Sequence, residues 1–382
     1  MLSTKEPSRQ VIGYWMSEKK SQKLNWSEFA SVCKENGLEL VKLDLNEPLE
    51  MQGPFTAILH KLTDIIALAM QGDAKATRMM ENIESFLDAH PEVAVIDPLP
   101  NVRQLLDRSL SYSVIHSSDL GTIDVFTPTY VELTSSDVQE NIATLSSAGV
   151  KFPFVCKPLV AHGSSNAHKF CYQMSIIFNE EGVSDCKPPC VAQTFINHNA
   201  VLYKIFSVGD DHYVVERPSL KNFYSCDQET IHFDSHDVSK ADSTSALSIL
   251  DPEDSIGDIN MPDPEKFARI AEILNKELGM ALLGIDVVLE NGTNRYAIID
   301  INAYPGYDGY PNFFGSLLSC IQKTIADHSS HLAEVSQEGN PDDSGFDTGY
   351  SSDEKKKNLL RGRVHKKTML YGPGNTNCTS GS

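Results

Sequence analysis

The 382-residue sequence has no apolar run approaching the roughly 20 residues that a membrane-spanning helix needs. Its start, MLSTKEPSRQ, is polar and offers no apolar core to a secretory signal, so a cytoplasmic location away from membranes is expected. The cysteines are Cys33, Cys156, Cys171, Cys186, Cys190, Cys226, Cys320 and Cys378. They include no CxxC pair, and no histidine completes a zinc spacing with Cys186 and Cys190, so reduced thiols are expected. GxxxxGK[ST] is absent, which excludes a Walker phosphate loop. Basic stripes are missing from the predicted helices, and the net charge of −20 opposes nucleic-acid binding.

An acidic body must gather its anion-binding cations locally, so the positions of Lys, Arg and His carry information. The length suffices for two or three domains with substantial cores. Composition changes beyond about Ala326. Residues 334–354 hold seven acids and no Lys or Arg, and residues 355–367 hold seven bases and no acid. This polar tail is predicted to be disordered, and it leaves −19 of the charge on the body.

Apolar strands at 11–16, 38–43, 57–59 and 93–97 alternate with helical stretches at 25–36 and 74–89. That alternation predicts a small parallel α/β unit, whose ligands approach the carboxyl ends of the strands. Lys19, Lys20 and Lys61 all lie just past strand ends, which points to an anionic substrate. Asp97-Pro98-Leu99-Pro100 then breaks the chain before a helix carrying Arg108.

Residues 154–157 form a strand ending in Lys157, followed by a small-residue loop, Ala161-His162-Gly163-Ser164-Ser165-Asn166-Ala167-His168. Backbone N–H groups of such a loop suit phosphate oxygens, although an ordinary hairpin connection has the same composition. Strands follow at 169–178 and 189–196. A hairpin of 201–208 and 212–216 holds Lys204 inside an apolar strand, where a lysine needs a partner or a bound anion. Arg217 and Lys221 come directly after it. Residues 233–240 read as a polar loop. Asp263-Pro264 starts a helix, Phe267, Ile270, Ala271, Leu274 and Leu278 form its core stripe, and Gly279 ends it.

The stretch 282–306, LLGIDVVLENGTNRYAIIDINAYPG, reads as strands 285–290 and 296–302 around a Gly-bearing turn. Asp300 and Asn302, two apart, share a face. Asp286 joins them only if it pairs with Asp300, which requires an odd-length loop or a bulge. Three hard oxygen ligands on one face suit Mg²⁺ with phosphate oxygens completing its shell. The alternative is that they cap strand ends or bond to backbone. Together with the strand-edge cations they are the parts that phosphoryl transfer requires.

These residues carry a family resemblance. GYWMSEKK, LHKLTD, DPLPNVRQLLDRS, FPFVCKP, VAHGSSNAH, QTFINHNAVLYK, RPSLKNF, SHDVSK, GIDVV and IDINAYPGY, spread over 11–321, resemble the inositol-tetrakisphosphate 1-kinase (inositol 1,3,4-trisphosphate 5/6-kinase) family. The resemblance implies an α/β (α+β) protein of ATP-grasp fold. It would comprise an N-terminal Rossmann-like α/β domain at 1–108, ATP-grasp subdomains at 109–195 and 196–325, and a tail at 326–382. It implies a monomeric kinase with ATP as co-substrate and two Mg²⁺ ions. The expected substrates are inositol 1,3,4-trisphosphate, phosphorylated at position 5 or 6, and inositol 3,4,5,6-tetrakisphosphate, phosphorylated at position 1.

By the same resemblance, Arg108 and Lys157 contact nucleotide phosphates. The run Gln193, Thr194, Phe195, Ile196, Asn197, His198, Asn199, Ala200, Val201, Leu202, Tyr203 and Lys204 contacts adenine and ribose, and Ser219, Ser235 and Ser239 close over ATP. Lys20, Lys61, His162, His168, Lys204, Asn302 and Gly306 contact inositol phosphate, and Asp286, Asp300 and Asn302 hold magnesium. Lys204, Arg217 and Asp300 are the candidate catalytic residues. The loop 163–168 is one residue longer than the family's HGTNSH-like loop, and Pro158 stands where the family often has a polar residue. Competing readings are an ATP-grasp carboxylate–amine ligase and a nucleotide-binding scaffold with a degenerate site.

Overall fold

Four short apolar strands, β1 (Gln10–Trp15), β2 (Leu38–Lys42), β3 (Ala57–His60) and β4 (Ala94–Ile96), form a fully parallel sheet in the order β2-β1-β3-β4. A computed structural model describes this sheet as part of residues 10–159, 173–254 and 261–338. Parallel sheets are covered on both faces, and here the covers are helices. Past β1 come α1 (Glu18–Lys23) and α2 (Trp26–Glu35), the latter burying Trp26, Phe29 and Cys33. After β3, α3 (Thr63–Met70) leads to α4 (Ala74–Ala89). The Asp73 carboxylate caps α4 by accepting from Lys75 and Ala76 N–H, and Met79, Met80, Ile83 and Phe86 are its buried stripe. Gly13 in β1 is closely covered: a Cβ there would lie 2.8 Å from Ile58 Cδ1 and 2.9 Å from Leu43 Cδ2, so those side chains would have to shift. Since all strands run one way, Lys20 and Lys61 emerge at the same edge.

Helices α5 (Leu99–Leu106) and α6 (Arg108–Ser117) lead out of this unit to β5 (Val125–Phe126), β6 (Tyr130–Leu133) and α7 (Val138–Ala148). Then come β7 (Phe154–Pro158), β8 (Gln173–Ile177) and β9 (Cys190–Thr194). With β12 (Ile231–Asp234) they make an antiparallel sheet in the order β12-β8-β7-β9-β6. One face of it buries Phe154, Cys156, Ile177, Cys186 and Cys190 together with Leu145 of α7. The alternating residues Val155, Lys157 and Gln193 therefore face the other way.

The third sheet has the order β11-β10-β13-β14-β5, built from β10 (Val201–Val208), β11 (Asp211–Pro218), β13 (Leu282–Leu289) and β14 (Tyr296–Ala303). Between β12 and β13 lie α8 (Ser235–Ser239) and α9 (Pro264–Leu278). Asp263 caps α9, Pro264 opens it and Gly279 at φ 59° ends it, as the sequence predicts. The chain ends its described course in α10 (Phe313–Glu338). It divides into a body, Met1–Glu334, and a second unit, Val335–Ser382, whose described part is the end of α10.

Three expectations change. Residues 233–240 are the end of β12 and all of α8, because the Asp234 carboxylate accepts from His236 N–H as a helix cap and Val238 is buried beneath. The tail does not begin at Ala326: α10 continues through Glu338, with Ile325 buried and His328 Nε2–H donating to Pro91 O at 2.9 Å. Val125 and Phe126 pair in parallel with Tyr296 and Ala297, so a segment expected in the central subdomain supplies an edge of the third sheet. Residues 160–172 lie outside the described residues, as does the part of the tail beyond 338. Cys33, Cys156, Cys186, Cys190, Cys226 and Cys320 are free thiols. No helix among the described residues is long and apolar enough to cross a membrane.

Asp97 ties the parallel sheet to β13. Its Oδ1 accepts from Ala281 N–H at 2.6 Å and Leu282 N–H at 3.3 Å, and its carbonyl accepts from His60 Nε2–H. Burial pushes its carboxyl up to about 7, against the pull of those N–H groups. The folded chain thus keeps a proton that the unfolded chain releases near pH 4, and this contribution to stability falls as pH rises from about 4 to about 7. Asp97→Ala should cost about 2–3 kcal/mol by orphaning buried donors. Asp97→Asn should gain on the wild type as pH rises through that window, read by urea unfolding at pH 5 and pH 8.

Candidate active site

The second and third sheets and the carboxyl edge of the parallel sheet enclose a cleft of about 420 Å³. Val155, Met174, Leu202, Leu220, Phe233 and Ile299 give it an apolar stretch, and the remaining walls are polar and charged. That combination suits a ligand with one flat apolar part and one anionic part.

Its charged floor rests on an irregularity in the β13–β14 hairpin. Val287 pairs with Ile298, but Asp286 pairs with Asp300, so Ile299 is an extra residue bulged out of the ladder. The bulge puts Asp286 opposite Asp300 and Asn302 opposite Gly284, all on the sheet face that carries Lys204. Lys204 Nζ meets Asp286 Oδ1 at 2.6 Å, and Arg108 Nη2 lies 3.7 Å from Asp300 Oδ2. The two carboxyls differ in character. Burial raises the pKa of Asp286, with Lys204 opposing. Burial acts on Asp300 as well, but Arg108, Lys157 and Lys204 together outweigh it and hold that carboxyl below its usual value.

Among the described residues no group of three or more His, Cys, Asp or Glu side chains is arranged to hold a metal. Asp286, Asp300 and Asn302 offer two carboxylates and one amide oxygen, a donor set that fits Mg²⁺ when phosphate oxygens and water supply the rest.

Lys157 is 5% exposed, and all three of its ammonium hydrogens are engaged: Gln193 Oε1 at 2.7 Å, Ile299 O at 2.8 Å and Tyr112 Oη at 3.1 Å. Burial brings its pKa down to about 8. Arg108 Nη1 donates to the carbonyl of Pro158 at 2.6 Å, so proline at that position still serves through its oxygen.

At the other end of the cleft, Lys61 Nζ donates to Tyr304 O at 2.8 Å and Ala303 O at 3.2 Å, while Lys20 Nζ donates to Pro305 O. Burial, then the neighbouring Lys61 and Lys23, pushes Lys20 down to about 6, and burial pushes Lys61 down to about 8. Two lysines sharing one corner hold their protons more firmly beside an anion.

The run 193–204 divides. Gln193, Thr194, Phe195, Ile196, His198, Leu202 and Lys204 line the cleft, whereas Asn197, Asn199, Ala200, Val201 and Tyr203 do not. Asn197 Oδ1 accepts from Phe223 N–H, and Asn199 exchanges two hydrogen bonds with Asn222 in a turn where Asn199 and Ala200 have φ of 56° and 58°. Tyr203 points to the opposite face and packs on Phe267. Strand pleat and turn geometry thus separate residues that the resemblance takes as one run.

His198 Nδ1–H donates to Ile196 O, so its Nε2 accepts from the Ser219 hydroxyl at 2.7 Å. Ser219 therefore faces the cleft as an acceptor, fit for a sugar hydroxyl. Ser235, Ser239, Gly306 and Asn302 also line the cleft. Arg217 does not; its Nη2 donates to Asp308 O at 2.6 Å beside it. His162 and His168 lie outside the described residues.

Sequence reasoning missed Tyr112, the Ile299 carbonyl and Gly284. A Cβ on Gly284 would stand 2.8 Å from Pro305 Cβ, so the strand must be bare there for the 303–306 turn to lie against it. Glycine inside an apolar strand was the available signal.

An antiparallel sheet and a mixed one closing on a cleft with a buried lysine, an acidic hairpin and a parallel α/β unit behind define a nucleotide-using protein of ATP-grasp architecture. The profile of the inositol 1,3,4-trisphosphate 5/6-kinase ATP-grasp domain matches residues 121–323, and that of the family's pre-ATP-grasp domain matches residues 11–102. The chain belongs to the inositol 1,3,4-trisphosphate 5/6-kinase family. It is 45% identical over 318 residues to inositol-tetrakisphosphate 1-kinase of Danio rerio, covering 82% of this chain and 78% of that one. It is 44% identical over 334 residues to the protein of the same name from Xenopus laevis, covering 86% and 83%. Among solved structures, D-cycloserine synthetase DcsG superposes with a TM-score of 0.52 at 10% identity, covering 82% of this chain and 99% of that one, a likeness of fold alone.

Gly284→Ala should displace the 303–306 turn and leave the nucleotide end intact. The expected result is phosphoryl transfer slowed about ten- to hundredfold with ATP affinity unchanged within about twofold, read by steady-state kinetics and calorimetry.

Proposed function

We propose that the chain is a Mg-ATP-dependent inositol polyphosphate kinase. It moves the γ-phosphoryl group to the 5- or 6-hydroxyl of inositol 1,3,4-trisphosphate and to the 1-hydroxyl of inositol 3,4,5,6-tetrakisphosphate. The observation that carries this reading is the meeting of Lys20 and Lys61, two half-buried lysines, with the Asp286–Asp300–Asn302 face in one cleft. An acceptor bearing several phosphates supplies the charge that those lysines lack. Family membership supports the same activity.

In this reading Arg108 and Lys157 hold nucleotide phosphates, while the apolar wall and Ser219 receive adenine and ribose. Asp286, Asp300 and Asn302 would hold magnesium, which when bound would supply charge neutralisation for phosphate oxygens. Lys204 pairs with Asp286 and lines the same cleft, where its ammonium is within the site that receives the transferring group and the acceptor. Arg217, outside the cleft itself, braces the acceptor end through Asp308. The protein's work is positioning and charge stabilisation, and a strong general base is not required. A monomer acting in the cytoplasm is part of the proposal.

The test is ADP release and product mapping with Mg-ATP, using inositol tris- and tetrakisphosphates in one arm and amino-acid pairs in the other. Turnover with inositol phosphates alone is expected, and turnover only with amino acids sinks the kinase reading in favour of a ligase. Chelating the divalent cation should abolish transfer. Asp300→Asn should lower kcat by about a hundredfold or more, and an unchanged kcat for Arg217→Ala would remove Arg217 from the mechanism.

A further inference from the structure

An ammonium has three hydrogens, and in this structure each of those on Lys157 already has an acceptor. A nucleotide phosphate therefore gains a hydrogen bond from Lys157 only by displacing one of them. The three acceptors are not equivalent. Gln193 is 2% exposed and its Nε2 has no partner among the described residues, so losing Lys157 from Oε1 would leave the whole buried amide unsatisfied. Tyr112 is different. Its hydroxyl donates to Ile299 O at 3.0 Å, a bond that does not use Lys157, and Arg108 lies beside it. That bond keeps both the hydroxyl and the bulge carbonyl partnered when the ammonium turns away. The Tyr112 contact is also the longest of the three, at 3.1 Å.

We infer that the Tyr112 hydroxyl is a place-holder: it occupies the third hydrogen of Lys157 in the nucleotide-free chain and cedes it to a phosphate oxygen when nucleotide enters. Tyr112 is thus a positioning residue that tunes phosphate affinity through Lys157 without touching the ligand. This rests on the nucleotide role of Lys157 proposed above. The rest of Tyr112 is structural: the ring is fully buried and packs edge-on against Tyr130, with centroids 5.1 Å apart.

Tyr112→Phe keeps the ring and deletes the place-holder. Without nucleotide it leaves a buried N–H of Lys157 unpartnered, so the free variant should unfold at lower temperature. Phosphate binding then restores the missing partner. Calorimetric titration should show MgATP and MgADP binding about three- to tenfold tighter than to the wild type, the net worth of one hydrogen bond. Adenosine, which has no phosphate, should bind equally to both within about twofold.

A merely structural role weakens all three ligands together, and that result overturns the inference, as does unchanged MgATP affinity. Replacing Tyr112 by 3-fluorotyrosine gives a second readout with ring and hydroxyl retained. The fluorine makes the oxygen a weaker acceptor, so a smaller tightening toward MgATP is expected, and a weakening overturns the inference. Wild-type protein that binds neither MgATP nor MgADP removes the nucleotide role of Lys157 and the exchange with it. Wild-type binding with no tightening in Tyr112→Phe leaves the kinase reading intact and overturns the exchange alone.

Discussion

One extra residue in a hairpin, Ile299, sets the geometry on which the cleft depends. If the ladder that pairs Val287 with Ile298 continued without interruption, Asp286 would pair with Ile299, and Asp300 would face the opposite side of the sheet. The bulge shifts the register by one and brings both carboxylates to the same face. It also takes the Ile299 carbonyl out of the ladder, and that oxygen accepts from both Lys157 and Tyr112. The Asp286–Asp300 face and Lys157 are therefore positioned by a single backbone irregularity that links the second and third sheets.

Charge follows from that arrangement. A chain of net charge −20 concentrates Lys157, Arg108 and Lys204 around Asp300 and Asp286, so neither carboxylate stands without a cation nearby. Burying these groups is unfavourable taken singly. Together they form a preorganised polar site in which every charge already has a partner: Lys204 lies on Asp286, Arg108 beside Asp300, and Lys157 among three acceptors.

Much of this was legible in the sequence because it is periodic. The bounds of α4, the Asp263-Pro264 start and Gly279 end of α9, and the shared face of Asp300 and Asn302 all follow from spacing and capping chemistry. The pairing of Asp286 was not fixed by the pattern, since β-branched and apolar residues run unbroken through AIID and nothing local marks Ile299 as the bulge. Residues 233–240 read as a loop because a five-residue helix has no room for a repeating stripe. The end of α10 was lost in the average composition of the segment beyond Ala326. Tyr112 carried no signal at all: its role comes from two residues far away in sequence, Lys157 and Ile299.

The turn after β14 joins the two ends of the cleft. Asn302 shares the face of Asp286 and Asp300, and within three residues the carbonyls of Ala303, Tyr304 and Pro305 take the ammonium groups of Lys61 and Lys20 from the parallel unit. Arg217 holds Asp308 O from β11, and Lys23 pairs with the Asp308 carboxylate at 2.8 Å. Tyr304 and Tyr307 sit at φ of 44° and 55°, a left-handed conformation costing about 1–2 kcal/mol per residue that persists only where surroundings impose it. The distance between Lys20 and Lys61 on one side and the Asp286–Asp300 face on the other is thus fixed by a strained, multiply anchored turn. Since Gly284 lets that turn lie directly against β13, this spacing is built into backbone rather than left to flexible lysine side chains.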